Sequence, residues 1–207
     1  MHCPSCEHPL EEHSAACPGC GFTLGRVDAL FPEVPALAHP LTDTKRWLRK
    51  RERPALTRRV SDFDDRRPPL RLNVLLREAP PGVPPRVYLF WLFNRCDLHS
   101  PMERAGRNHH LLLWLQPEQK RLAIMPGYGL EPLVPDSALA AALAAAAPCV
   151  ASGRFAQGLA ACIERLQDEF ERLHAQLPRV FGWAPEESWS PIEAEHLPVS
   201  GGACPDF

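Results

Sequence analysis

Residues 109 to 136 read H-H-L-L-L-W-L-Q-P-E-Q-K-R-L-A-I-M-P-G-Y-G-L-E-P-L-V-P-D, and this stretch decides the fold. Leu111 to Gln116 is a strand-length apolar run, Pro117 to Lys120 carries turn chemistry, and Leu122 to Met125 is a second apolar run. The pattern predicts two adjacent strands. Because neither alternates with polar residues, both faces of their sheet should be covered, which calls for helices on either side. Gly127 and Gly129 bracket Tyr128 where the second strand ends. They are expected to give the backbone conformations closed to other residues, and so to bring Glu131 and then Asp136 to one sheet edge.

Working outward, Leu70 to Leu76 (L-R-L-N-V-L-L) predicts a further strand. Val87 to Phe93 is too apolar for a surface element, and periodicity alone leaves it open between strand and helix. Three strands can be placed from the residues. Downstream, Asp136 is in position to cap an Ala-rich helix over 137–147 that Pro148 should stop. The last helix is predicted to start near Phe155. Leu159, Ile163, Leu166, Phe170, Leu173 and Leu177 form one apolar stripe on it, with Glu164, Asp168, Glu169 and Glu171 facing water. Such a long stripe suits packing within the chain or a helix-mediated homodimer.

Upstream, Thr42-Asp43, whose short oxygen-bearing side chains can cap the first free amides, predict a helix start, with the helix kinked or restarted by Pro54. Between residues 45 and 59 it would carry eight basic residues against the single acid Glu52. This is either a solvated face balanced by Asp62, Asp64 and Asp65, or a surface for phosphates or an acidic partner.

The first residues carry Cys3-Pro-Ser-Cys6 and Cys17-Pro-Gly-Cys20. Two C-x-x-C turns each set two thiolates at neighbouring corners of a tetrahedron, so Cys3, Cys6, Cys17 and Cys20 are the expected ligands of one structural Zn²⁺. Disulfides or a redox pair are the alternatives. Four cysteines complete the tetrahedron, which leaves His2, His8 and His13 as solvated side chains and no coordination position open for catalysis. A segment this short cannot fold on its own apolar area, so the metal would supply its folding free energy. Thiolate ligation requires non-oxidising surroundings and points to the cytoplasm.

The 207 residues, 45% hydrophobic and 23% charged, suffice for one filled core plus a small module. A net charge of −2 offers no chain-wide attraction for nucleic acid. The opening residues lack a secretory pattern, and no apolar run suits a membrane span. The expected organisation is a zinc ribbon over 1–24, a linker over 25–40, an α/β domain over 41–178 and a tail over 179–207. Phe181, Trp183 and Trp189 in the tail are either pinned onto the domain or kept for a partner.

The order strand, charged turn, strand, G-Y-G-L-E (127–131) and an Asp opening a helix resembles the TPM-domain family, thylakoid-lumen phosphatase-like proteins and their bacterial relatives. Gly153-Arg154-Phe155 and Gly158-Leu159 add to the likeness, which runs from about Pro40 to Leu177. The resemblance implies a three-layer α/β/α sandwich with a sheet of about four strands, and it makes 87–93 a helix. It also implies a metal-assisted phosphatase edge where the family carries Asp-Asn-Gly at the turn into the second of its strands. This chain has Arg107-Asn108-His109 there, which subtracts a carboxylate ligand and adds a repelling charge for Ca²⁺ or Mg²⁺.

The candidate catalytic residues are therefore Glu131, Asp136, Asn108 and His109, with Asp97 and Glu103 nearby in sequence. Glu131 also reads as a plain loop acid. No G-x-S-x-G, H-E-x-x-H or P-loop is present. The leading expectation is a cytosolic zinc-binding adaptor that binds a protein partner without efficient catalysis. A metal-dependent phosphatase is the first alternative. A nucleic-acid-binding module using the ribbon and the basic stretch 45–59 is the second.

Overall fold

The protein is described from a computed structural model covering residues 2–11, 14–31, 33–96, 98 and 108–180, with the backbone alone for 176–180. One compact unit spans Met1–Glu171 and a second spans Arg172–Phe207. The first holds a four-stranded sheet in the order β1 (Leu41–Asp43), β2 (Arg71–Leu76), β3 (His110–Gln116), β4 (Arg121–Pro126). The first three strands are parallel and β4 is antiparallel to β3, with Leu113 opposite Ile124. Lys120, at φ 50°, closes the tight β3–β4 connection, its amide donating to the carbonyl of Pro117 at 3.2 Å.

The two apolar runs are thus adjacent strands with both faces covered. Leu72, Val74, Leu76, Leu111, Leu113 and Leu115 point to one face, against α2 (Glu52–Asp65), α4 (Asp136–Ala151) and α5 (Phe155–Val180). Leu75, Leu112 and Trp114 point to the other, against α3 (Pro85–Arg95) and α1 (Leu24–Asp28). The stretch 87–93 is the centre of α3 and is buried almost throughout. The crossovers β1–α2–β2 and β2–α3–β3 step the same way across the sheet but lie on opposite faces. They are therefore of opposite hand, and one departs from the usual right-handed rule.

Several local expectations are corrected. No helix starts at Thr42-Asp43: these residues belong to β1, the strand that the residues alone did not place. The buried Asp43 carboxylate accepts the amides of Trp47 (3.0 Å) and Leu48 (3.1 Å) without a helix following it, and so folds the next residues into a loop. Helix α2 begins at Glu52, so the basic stretch 45–59 is divided between loop and helix. Pro54 sits in the first turn, where a missing amide costs nothing. Pro148 does not stop α4, which continues to Ala151. Asp136 is the first residue of α4 rather than its cap; Pro135 occupies the cap position. The stretch read as linker, 25–40, contains most of α1, and α5 reaches Val180, beyond the expected start of the tail.

On α5, Leu159, Ile163 and Leu166 are fully buried, and Phe170 meets the ring of Phe63 edge-on at 5.8 Å. That half of the stripe packs within the chain. Leu173 belongs to the second unit, and the side chain of Leu177 and the aromatic residues of the tail lie outside the described residues. No helix among the described residues is long and apolar enough to cross a membrane.

Candidate functional site

The two C-x-x-C segments fold as near copies of one knuckle. The Cys3 amide donates to the carbonyl of His8 and the Cys17 amide to that of Phe22, both at 2.9 Å. Glu7 and Gly21, each four residues past the first Cys, take positive φ of 62° and 67°. All four sulfurs lie within 4.8 Å of one another, with Cys3 Sγ to Cys20 Sγ at 3.7 Å and Cys6 Sγ to Cys17 Sγ at 3.6 Å. A tetrahedron with metal–sulfur arms of about 2.3 Å has edges of about 3.8 Å. Both separations are far beyond the roughly 2.05 Å of a disulfide. The Ser5 amide points at Cys3 Sγ from 3.4 Å, a donor suited to a thiolate. The four cysteines could hold a metal ion such as zinc.

The knuckles rest on the helical layer of the domain. Arg86, in the first turn of α3, donates to the carbonyl of Ser5 at 2.9 Å and pairs with Glu7. Phe22 meets Phe90 edge-on at 5.8 Å. Behind them Phe31 packs on Tyr88 and Trp91 at 5.1 and 4.7 Å, and Asp28 accepts from Trp91 Nε1 at 3.0 Å and from Arg95 Nε at 2.7 Å. The Arg95 guanidinium holds the Asp28 carboxyl below its usual range.

The G-Y-G-L-E stretch lies at the amino ends of β1–β3, because β4 runs antiparallel and ends there. Among the described residues neither Gly127 nor Gly129 is left-handed, so the conformational reason expected for them does not hold. Their role is close approach. A Cβ on Gly127 would lie 2.4 Å from the carbonyl oxygen of Asn108 and 2.6 Å from its Oδ1, and one on Gly129 would lie 3.0 Å from that carbonyl and 3.2 Å from the His109 ring. The Gly127 amide donates to the His110 carbonyl at 2.8 Å and the Gly129 amide to that of Asn108 at 3.0 Å. Asn108 is buried, and its Oδ1 accepts the His110 amide at 2.9 Å. Leu130 and Val134 then enter the core.

Of the four candidate residues, Asn108 and His109 lie beneath this turn, while Glu131 and Asp136 lie on its outer, exposed side. The Glu131 carboxyl is pushed up, first by desolvation and then by the charge of Asp136, while His2 of the ribbon acts the other way. Burial, then the Glu131 charge, pushes the Tyr128 hydroxyl up as well. Among the described residues, the four cysteines are the only group of three or more His, Cys, Asp or Glu side chains with ligating atoms in common reach. His13, Asp97, His99, Glu103 and Arg107 lie outside the described residues.

Sequence reading missed a polar chain at the same edge. His39, just before β1, places Nε2 3.2 Å from the Asp64 carboxylate of α2 and Nδ1 3.0 Å from Asn73 Oδ1 of β2; Asn73 Nδ2 lies 3.2 Å from His110 Nδ1 of β3. Asp64 also accepts the Leu72 amide at 2.8 Å. Burial pushes the Asp64 carboxyl up, against the pull of that amide, His39 and Arg71. The available signal was Asn73, the one polar residue of L-N-V-L-L.

The family model for the TPM domain matches residues 42–169. The BA42 protein of the psychrophilic bacterium Bizionia argentinensis, solved by NMR, is similar in structure. It has a TM-score of 0.54 and 18% identity over 63% of this chain and 86% of that one. The N-terminal domain of a P. gingivalis protein gives a TM-score of 0.48 and 21% identity over 64% and 82%. No curated protein matches the sequence. The family match spans more than half of the chain, and the chain belongs to the TPM-domain family.

Proposed function

We propose that this is a cytoplasmic TPM-domain protein whose Cys3, Cys6, Cys17 and Cys20 hold one structural Zn²⁺, and that it works by binding a protein partner rather than by efficient catalysis. The observation that carries the reading is the anchoring of the knuckles on α3 through Arg86 and Phe22. A closed metal site held against the domain offers a fixed surface with Cys6 and Cys20 on its exposed side. Elemental analysis should give one zinc per chain, lost in Cys17→Ser. Chelation should unfold the ribbon and leave the sheet domain folded, because the metal supplies on the order of 10 kcal/mol to such a module. A chain that purifies without zinc yet keeps the ribbon's amide dispersion would end this reading.

One observation favours a second reading, a metal-dependent phosphatase. The Glu131 carboxyl is pushed up first by desolvation and further by the negative charge of Asp136, and a divalent cation held by both would offset that repulsion. Asn108 and His109 would complete the edge. Hydrolysis of p-nitrophenyl phosphate with Mg²⁺, Mn²⁺ or Ca²⁺ added singly separates the two. The adaptor reading expects no metal-dependent turnover. Turnover that one cation restores, and that Glu131→Gln and Asp136→Asn both abolish, would replace it with the phosphatase.

A further inference from the structure

At the opposite edge of the sheet, the β1–α2 loop and the α4–α5 turn enclose a cavity of about 310 Å³. Arg49, Arg51 and Arg154 line it, together with the aromatic residues Trp47 and Phe155. The loop side is shaped by Asp43, whose carboxylate binds the Trp47 and Leu48 amides and Arg53 (3.5 Å), so the acid nearest the loop is buried and engaged. The lining acid, Glu52, accepts the Arg49 amide at 2.8 Å. On the other side, Gly153 turns the chain at φ 76°, and the Nε of Arg154 donates to Ser152 Oγ at 2.9 Å, which steadies the guanidinium. Neither Arg49, Arg51 nor Arg154 forms an ion pair among the described residues, whereas Arg53, Arg59, Arg67, Arg86 and Arg95 all do.

We propose that this cavity binds a small phosphate monoester carrying a flat apolar group. Three guanidiniums against one carboxylate leave two positive charges in the lining. That matches a phosphate monoester, with roughly −1.5 to −2 at neutral pH, and a single carboxylate would leave one arginine uncompensated. The planar arginine fork pairs with phosphate oxygens two at a time. Trp47 and Phe155 supply apolar walls for the rest of the molecule, with Lys45 Nζ already over the Trp47 ring at 5.6 Å. The volume suits a small ligand, since such sites run from about 300 Å³ upward. Ala156 and Gln157 of the first turn of α5 complete the lining. The position also fits. It lies beyond the carboxyl end of β1, at the end of the sheet where the loops after the parallel strands emerge.

The site is distinct from the edge that holds Glu131, and its test separates the two. Phenyl phosphate is titrated calorimetrically into the zinc-loaded full chain, with phenol release followed in parallel so that binding is not confused with turnover. The expected result is one site, with affinity falling about tenfold in Arg49→Gln and again in Arg154→Gln, as loss of a charge-assisted bond implies. Phenol should not bind, and inorganic phosphate should bind more weakly than the ester. Amide shifts should be confined to residues 47–52 and 153–157. No binding at about 10 mM ester, or equal affinity in both arginine variants, would overturn the proposal. Loss of binding in Glu131→Gln with the arginine variants unaffected would move the phosphate to the other edge. A single-stranded oligonucleotide that binds with a steep salt dependence while phenyl phosphate does not would assign the arginines to nucleic acid instead.

Discussion

The two edges of this sheet are built on opposite principles. At the amino ends of β1–β3 the polar groups are paired and covered: Asn108 fits beneath two glycines, and His39, Asn73, His110 and Asp64 form one connected chain. At the carboxyl ends three arginines stand exposed around a cavity with no acid paired to them. The first edge carries the G-Y-G-L-E stretch by which the sequence resembles its family, yet at Gly127 and Gly129 that stretch serves close packing. Positive charge in search of a partner is found at the second edge, where the sequence shows only scattered arginines. A motif can thus mark where backbone must touch backbone, without marking where a ligand sits.

Substitutions should separate the edges in order of cost. Gly127→Ala pushes a Cβ against the Asn108 backbone, which cannot give way as a flexible side chain would, so it should cost on the order of 3 kcal/mol in urea unfolding or prevent folding. Gly129→Ala meets the same carbonyl at a longer distance and the His109 ring, which can turn; about 1 kcal/mol is expected. Equal costs at the two positions would show that the turn is set by conformation and not by approach to Asn108.

The buried chain at the first edge should also leave a pH signature. The Asp64 carboxyl lies above its ordinary value because burial outweighs the Leu72 amide, His39 and Arg71, with Asp65 adding a little more. An acid with a raised folded pKa binds its proton more tightly when folded. Its contribution is therefore full below the ordinary carboxylate value, about 3.9, and is lost as pH rises through the higher folded value. Unfolding midpoints measured across that window should fall with rising pH in the native chain and fall less in Asp64→Asn. Parallel slopes would mean that His39 and Arg71 keep Asp64 ionised. The smallest effect belongs to the second edge. Arg49→Gln and Arg154→Gln should change stability by less than about 0.5 kcal/mol, because both side chains are exposed and outside any ion pair among the described residues, and the bond from Arg154 to Ser152 Oγ is itself exposed. A larger loss would make the arginines structural.

What was legible in the sequence follows from short-range physics. The cysteine spacing is a local constraint, and the four sulfurs do lie within 4.8 Å of one another. The unbroken apolar runs at 111–116 and 122–125 require cover on both faces wherever they lie, and α3 with α1 on one side and α2, α4 and α5 on the other supply it. The stripe on α5 from Leu159 to Phe170 needed only helical periodicity. Strand β1 was not legible, since three residues carry no period, and the pairing of Leu41 with Val74 makes it a strand.

The rest was decided by tertiary contact. Asp43 looked like a helix cap because its carboxylate does collect amides, but they belong to a loop whose course is set by β1 pairing on β2. Pro54 and Pro148 looked like breaks; one falls in a first turn that needs no amide, and the other lies within a helix that continues past it. Asn73 and His110 meet because the β2–β3 register sets Arg71 opposite His110, a pairing between residues far apart in the chain. In the same way Arg154 reaches the cavity of Arg49 and Arg51 only once α4 has carried the chain back across the sheet. By itself the sequence determined the four-cysteine cluster, the buried strands and the family, each of which depends on neighbours a few residues apart. Only the tertiary structure decided which polar groups share an edge, because that depends on strand register and helix length, quantities set by the whole core.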